Sequence, residues 1–391
     1  ILDIRIILLL CMFSILYYMT FTQIYLYPTG GQVTNTKYDI PFTAELVKEW
    51  GPKWKVKDEK QYQEKHQELE RGFAKIIKQD QELSKRGIVD YEIFNKKYEE
   101  LGQKTTLSKQ EKELGKILEN YVFYNDKTSK IFLDIQALEH IREFQGSEYG
   151  VSDKKYKELK ADGFFDGTKL YQKAIEKRVK RDYISLVHEG VFYILQEDMV
   201  TIGGLIMICF FALIIPYQLK QRLRQVIPIL ATTKTGRRIY QIQLIASALV
   251  ALFVGILQMA VYGIIWHLKG LSVFWRCESW GIASNSYWCD KLSFGTYMLL
   301  YMALILLFAI ASIVIIDFIG RTIGNYMGAV AVSIPVCGVM MFLMRKIYYM
   351  LFLITNDQVL AYWELYALAT WLIVMLLFYK IRSKRWKKVD L

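Results

Sequence analysis

Four histidines, His66, His140, His188 and His267, are the chain's natural metal ligands, and none falls in the HExxH spacing that puts two ring nitrogens on one helix face. His140 has Glu139 and Glu143 close by, a grouping that a solvated helix face accounts for. No GxSxG turn presents a serine nucleophile, and no cysteine–histidine pair stands out. A phosphate-cradling GxxxxGK(S/T) loop is missing. The nearest approach, Gly320-Arg321-Thr322-Ile323-Gly324-Asn325, lacks the lysine. These residue types point away from an enzyme, and the chain is expected to hold no metal or cofactor of its own.

Other residues suggest binding or packing rather than catalysis. Gln258 and Tyr262 lie four apart, on one face of an apolar helix, where they could line a substrate path or hydrogen-bond between helices. Gly203-Gly204, and Gly324 with Gly328, would let helices approach closely. Cys277 and Cys289 share a short loop with Trp275, Trp280 and Trp288 and are candidates for a disulfide if that loop is outside the cell; Cys11, Cys209 and Cys337 fall in apolar runs and read as small buried residues. Glu364 could pair with Arg345 or Lys346, although a water-facing carboxylate is its simpler reading. The strongest signal is the stretch Gln218–Arg238. It carries Lys220, Arg222, Arg224, Lys234, Arg237 and Arg238 with no acidic residue, around an apolar Val226–Ala231 segment too short to span a membrane. That pattern predicts an amphipathic helix lying at the inner membrane surface.

The elements that must position these residues follow from where charge and apolar residues segregate. The chain has 391 residues, 53% hydrophobic, with a net charge of +12. Most charge sits between Lys37 and Asp198, and much of the basic excess lies just beyond apolar runs, which favours lipid contact over nucleic acid. Apolar runs predict six spans: Ile4–Tyr27, Met199–Leu219, Ile239–His267, Phe294–Ile316, Tyr326–Met344 (kinked at Pro335) and Ala361–Tyr379. The first is too long for a signal-peptide core and lacks a small-residue cleavage site, so it is expected to be retained. Asp317–Asn325 reads as a tight connection, and ionisable groups are nearly absent from the spans. Arg345–Tyr362, aromatic but interrupted by charge, reads as a re-entrant or interfacial hairpin.

Between the first two spans the pattern is helical almost throughout. Tyr62, Leu69, Phe73, Ile76 and Ile77 recur at helical spacing, as do Tyr91, Phe94, Tyr98 and Leu101 behind an Asp90 N-cap. Ser108 with Glu111 reads as a capping box, and a further helix is expected over Ser129–Phe144. A last helix starting near Thr168 would carry Tyr183, Leu186 and Val187 towards the membrane, while Tyr38–Leu46 reads as an extended piece packed on the bundle.

The expected fold is therefore an all-α polytopic membrane protein with six transmembrane helices and a mostly helical extracellular domain. Residues 1–27 form the first transmembrane helix, 28–198 the extracellular domain, and 199–391 the five-helix remainder, with loop 218–238 and outer hairpin 345–362. The basic loop and the basic tail from Lys380 to Lys388 fall on one side, predicted to be cytoplasmic together with both termini.

Six spans, a basic amphipathic loop between the second and third, and a broken hairpin before the sixth resemble the permease subunits of ABC-2 type transporters. The segment Ile229-Leu230-Ala231-Thr232-Thr233-Lys234-Thr235-Gly236-Arg237-Arg238 is similar to one that follows the coupling helix in permeases of Gram-positive bacteria. Gln218 and Lys220 stand where such permeases often carry an acidic residue, and Gln243 where they often carry a lysine. The resemblance implies a bacterial cytoplasmic-membrane subunit that works with a second permease chain, identical or not, and two separate ATPase subunits that hold Mg-ATP. It assigns ATPase coupling to Arg222, Arg224, Thr233, Lys234, Gly236, Arg237 and Arg238. An exporter of a peptide, amphipathic or lipid-like substrate is the function expected. The rival is a membrane receptor or sensor whose outer domain binds a peptide, envelope component or partner protein.

Overall fold

The computed structural model describes residues 36–55, 58–144, 169, 172, 183–224, 239–279, 292–350 and 363–388. The first predicted span lies outside them. The chain divides into two compact units, one of Tyr25–Gly190 and Trp280–Ala283, the other of Ile1–Ile24, Val191–Ser279 and Ser284–Leu391.

The first unit is helical because its apolar residues recur at three- and four-residue spacing and its helix starts carry caps. Helix α1 (Thr36–Trp50) buries Ile40, Thr43, Leu46 and Val47. Tyr38–Leu46, expected to be an extended piece, is thus helical, with Pro41 accommodated in the second turn. Strand β1 (Lys53–Lys55) follows, then α2 (Glu59–Ile77), α3 (Gln81–Lys85), α4 (Tyr91–Gln103) and α5 (Lys109–Glu119), which runs into a π turn at Asn120–Tyr124, and then α6 (Asp126–Phe144). Asp80 and Asp90 cap α3 and α4, and Ser108 with Glu111 forms the capping box predicted for α5. Phe73, Ile77, Leu83, Tyr91, Phe94, Leu118, Val122 and Phe132 make the core.

Tyr183, expected to be helical, instead begins strand β2 (Tyr183–Ser185), which pairs antiparallel with β1. Trp54 faces Ile184 in register, and the Lys53 ammonium lies 4.6 Å from the centre of the Tyr183 ring. An aromatic and a β-branched residue favour the pleated pairing over one more helical turn.

Among the described residues, the second unit contains five helices long and apolar enough to cross a membrane, the architecture of a multi-pass membrane protein. They are α7 (Glu189–Leu223), which begins at the end of the first unit, α8 (Ile239–Leu268), α9 (Phe294–Thr322), α10 (Tyr326–Met350) and α11 (Trp363–Lys388). Helix α9 lies at the centre of the bundle and packs against α8, α10 and α11, with one face buried from Phe294 to Gly320. Gly203 and Gly204 bring α7 against α10, as expected of them: a Cβ at Gly203 would lie 2.8 Å from Met344 Cε, and one at Gly204 2.6 Å from Met341 Cε. Among the described residues nothing lies within 4 Å of a Cβ at Gly324, and at Gly328 the nearest group is the Asn325 side chain, whose Oδ1 accepts from the Gly328 N–H.

Three helices run further than their apolar runs. Asp198 lies within α7, Asp317 and Arg321 lie within α9 and not in a connection, and Arg345 and Lys346 continue α10 to Met350. In each case a buried or partnered polar group lets the helix continue past the end of the apolar run. Arg345 lies 3.9 Å from Glu197 on α7, while the side chain of Glu364, its other candidate partner, lies outside the described residues. The rest of the predicted hairpin lies outside the described residues.

Candidate functional site

The basic stretch singled out by the sequence joins the ends of α7 and α8. Arg222 lies in the last turn of α7, and Arg224 follows it, exposed to solvent. Thr233, Lys234, Gly236, Arg237 and Arg238 lie outside the described residues. What the structure shows is how the two helix ends that carry this loop are held.

They are held by a polar chain, buried at Gln218 and Asp317, that runs through three helices. Asp317 and Arg321, four apart on α9, face the same side, and Arg321 Nε donates to Asp317 Oδ2 at 2.8 Å. The other carboxylate oxygen, Oδ1, accepts from Gln218 Nε2 of α7 at 2.8 Å. Arg321 Nη2 donates to Gln243 Oε1 of α8 at 2.6 Å, and Gln243 Nε2 donates to Gln221 Oε1 of α7 at 2.8 Å. The Asp317 side chain is fully buried and that of Arg321 is 3% exposed, so this is an ion pair inside the bundle. Such a pair is tolerable because its charges oppose each other and both carboxylate oxygens accept hydrogen bonds.

Backbone approach makes the contact possible. A Cβ on Gly320 would lie 2.9 Å from Gln218 Cβ and 3.6 Å from Ile215 Cα, so glycine alone lets α7 come this close to α9. Aromatic rings surround the polar chain. The Arg321 guanidinium sits 5.2 Å from the centre of the Tyr240 ring, Tyr240 stacks on Tyr379 of α11 at 6.3 Å, and Arg382 of α11 lies 4.6 Å from the Phe318 ring centre. Gln241 Nε2 also donates to Ser383 Oγ at 3.3 Å. Helices α7, α8, α9 and α11 are thus tied together where the basic loop leaves and re-enters the bundle.

The other sequence candidates are placed at the opposite end or in its direction along α8. Gln258 Nε2 donates to Cys209 Sγ at 3.1 Å, and Tyr262 OH donates to Asp198 Oδ2 at 2.9 Å. Both residues are buried, and each forms a hydrogen bond from α8 to α7. Cys277 is buried beyond a 3₁₀ turn at Leu271–Arg276, while Cys289 lies outside the described residues. Among the described residues, no three His, Cys, Asp or Glu side chains gather as a metal site.

The sequence reading missed Gln218, Asp317, Arg321 and Gln243 as one group, and Asp198 altogether. A signal existed: an acid and a base spaced i,i+4 at the end of an apolar run can neutralise each other inside a helix. No family model, no curated protein and no solved structure matches the chain.

Proposed function

We propose that the chain is the membrane subunit of an ATP-driven exporter of the ABC-2 permease type. The observation that carries this reading is the polar chain Gln218–Asp317–Arg321–Gln243–Gln221, which binds both ends of a basic loop to the central helix of the bundle. A loop that only linked two spans would have no need of a buried ion pair at its root. A loop that receives a push needs a stiff root, so that displacement reaches α7, α8 and α9 together and is not absorbed by bending.

In this reading the loop faces the cytoplasm, where its cationic side chains meet ATPase subunits that carry the Mg-ATP. Closure of those subunits moves the loop, and the polar chain passes the movement to α9. Two permease chains and two ATPase subunits would make the working unit, and the cargo would be a peptide, amphipathic or lipid-like molecule. Arg222, Arg224, Thr233, Lys234, Gly236, Arg237 and Arg238 are the residues assigned to ATPase coupling.

The test is affinity purification of the tagged chain from its native membranes. An ATPase subunit is expected to co-purify with the wild type and to be lost when Lys234, Arg237 and Arg238 are changed to Glu. If the wild type brings down no ATPase, the exporter reading fails and a receptor or sensor built on the outer unit takes its place.

A further inference from the structure

At the end of the bundle opposite the basic loop, a buried carboxylate of α7 has no counter-charge among the described residues. Asp198 is 7% exposed, and its partner is the neutral hydroxyl of Tyr262. Arg345 of α10 lies 3.9 Å from Glu197, the exposed neighbour of Asp198 on α7. Two further polar atoms nearby are buried without a partner among the described residues: Gln196 Oε1, whose amide nitrogen donates to Tyr297 OH at 3.3 Å, and Trp266 Nε1. Gln196 is 1% exposed and Trp266 2%. A buried carboxylate and buried polar atoms without a partner among the described residues are each costly in an apolar setting.

The walls of the junction are aromatic. Tyr262 and Trp266 have ring centres 5.7 Å apart, Trp266 stacks on Phe294 at 5.7 Å, and Phe192 meets Phe294 and Tyr297 at 4.8 and 5.0 Å. A carboxylate in an aromatic helix junction makes a setting that favours an organic cation. Its depth fits as well. Asp198 directly precedes the uncharged stretch Met199–Leu219 of α7, where the head of an amphiphile lies while its tail remains among lipid.

We infer that Asp198, Tyr262 and Trp266 form a binding site for the alkylammonium head of a cationic amphiphile. This names the cargo class of the exporter proposed above and rests on that reading for the word cargo, but binding itself is a property of this chain alone. The carboxylate pairs with the cation, Tyr262 holds the carboxylate in place, and the indole of Trp266 forms one wall of the site.

The test uses the purified full chain in lipid nanodiscs without any ATPase, so its outcome is separate from the co-purification result. Dodecyltrimethylammonium is titrated against thermal unfolding, with dodecanol as the neutral probe of equal tail length. Saturable stabilisation by the cation, absent with dodecanol and weakened about tenfold or more by Asp198→Asn, is the expected result. Tyr262→Phe and Trp266→Phe provide second and third variants should Asp198→Asn fail to fold, each expected to weaken binding severalfold. An equal response to dodecanol, or unchanged binding in the variants, overturns the proposal. So does a pH-dependent stability that vanishes in Asp198→Asn with no response to the cation, since the site would then take a proton only.

Discussion

Asp317 and Arg321 show how strongly a single pair can matter when it is buried. Removing one partner leaves an unpaired charge inside the bundle, and such losses cost about 3–5 kcal/mol. Asp317→Ala and Arg321→Ala are therefore each expected to lower the unfolding temperature of the purified chain sharply. The double variant Asp317→Asn with Arg321→Gln is expected to recover much of that loss, because no net charge remains buried. A double variant as unstable as the worse single one would show that the pair's ionic character is not what matters.

Asp134 of α6 offers a residue-scale prediction in the other unit. It is 4% exposed, its Oδ1 has no partner among the described residues, and burial pushes its pKa up to about 7, with Lys130 and Lys65 pulling it down and Glu45 pushing it up. An unfolded aspartate titrates near pH ~3.9. The folded value is raised, so the proton favours the fold: its stabilisation is fully present below about pH 4 and is lost as pH rises towards about 7. Amide exchange over Glu59–Ile77 and Asp126–Phe144 should be slower, relative to chemical rates, at pH 5 than at pH 8, and Asp134→Asn should flatten this difference. An unchanged pH profile in that variant would rule Asp134 out as its source.

At the scale of elements, what the sequence made legible was local. The Asp90 cap and the Ser108–Glu111 box were readable because their partners lie within one turn. The polar chain was not, since Gln218, Gln243 and Asp317 sit on three separate helices and none is unusual in its own neighbourhood. Likewise the helical spacing around Tyr183 was real, but pairing with Lys53–Lys55 outweighed it. Span ends were placed too early for a related reason: hydropathy stops at Ile316, whereas the helix goes on as long as its charges have partners. Helix α9 also gives the element-scale prediction. Gly320→Ala would push α7 from α9 at Gln218 and Ile215, where rigid near-backbone atoms cannot swing aside. Overpacking of this kind costs about 1–3 kcal/mol. A loss of stability is expected in the unfolding temperature, together with disruption of the Gln218–Asp317 contact; a neutral Gly320→Ala would mean the helices are free to separate there.

At the scale of the whole molecule, one chain combines a helical unit built on the Phe73–Phe94–Phe132 core with a bundle of spans centred on α9. The division was visible in the sequence because charge and apolar residues hardly mix between the two. The proposed roles divide in the same way within the bundle. One end holds the root of the basic loop, where energy would enter, and the other holds the Asp198 junction, where cargo would be gripped. The co-purification and amphiphile experiments address these ends one at a time, and either can fail without the other.

The small sheet carries a consequence for how the protein is made. Strand β1 is synthesised roughly 130 residues before its partner β2. At a ribosome speed of about 5–20 residues per second, Trp54 waits on the order of ten seconds for Ile184 to emerge. The intervening helices can form meanwhile from short-range contacts, but the pairing joins distant parts of the chain and comes late. Closure of the sheet therefore waits until Ser185 has left the ribosome, by which time Glu189 and the start of the long helix α7 are already made.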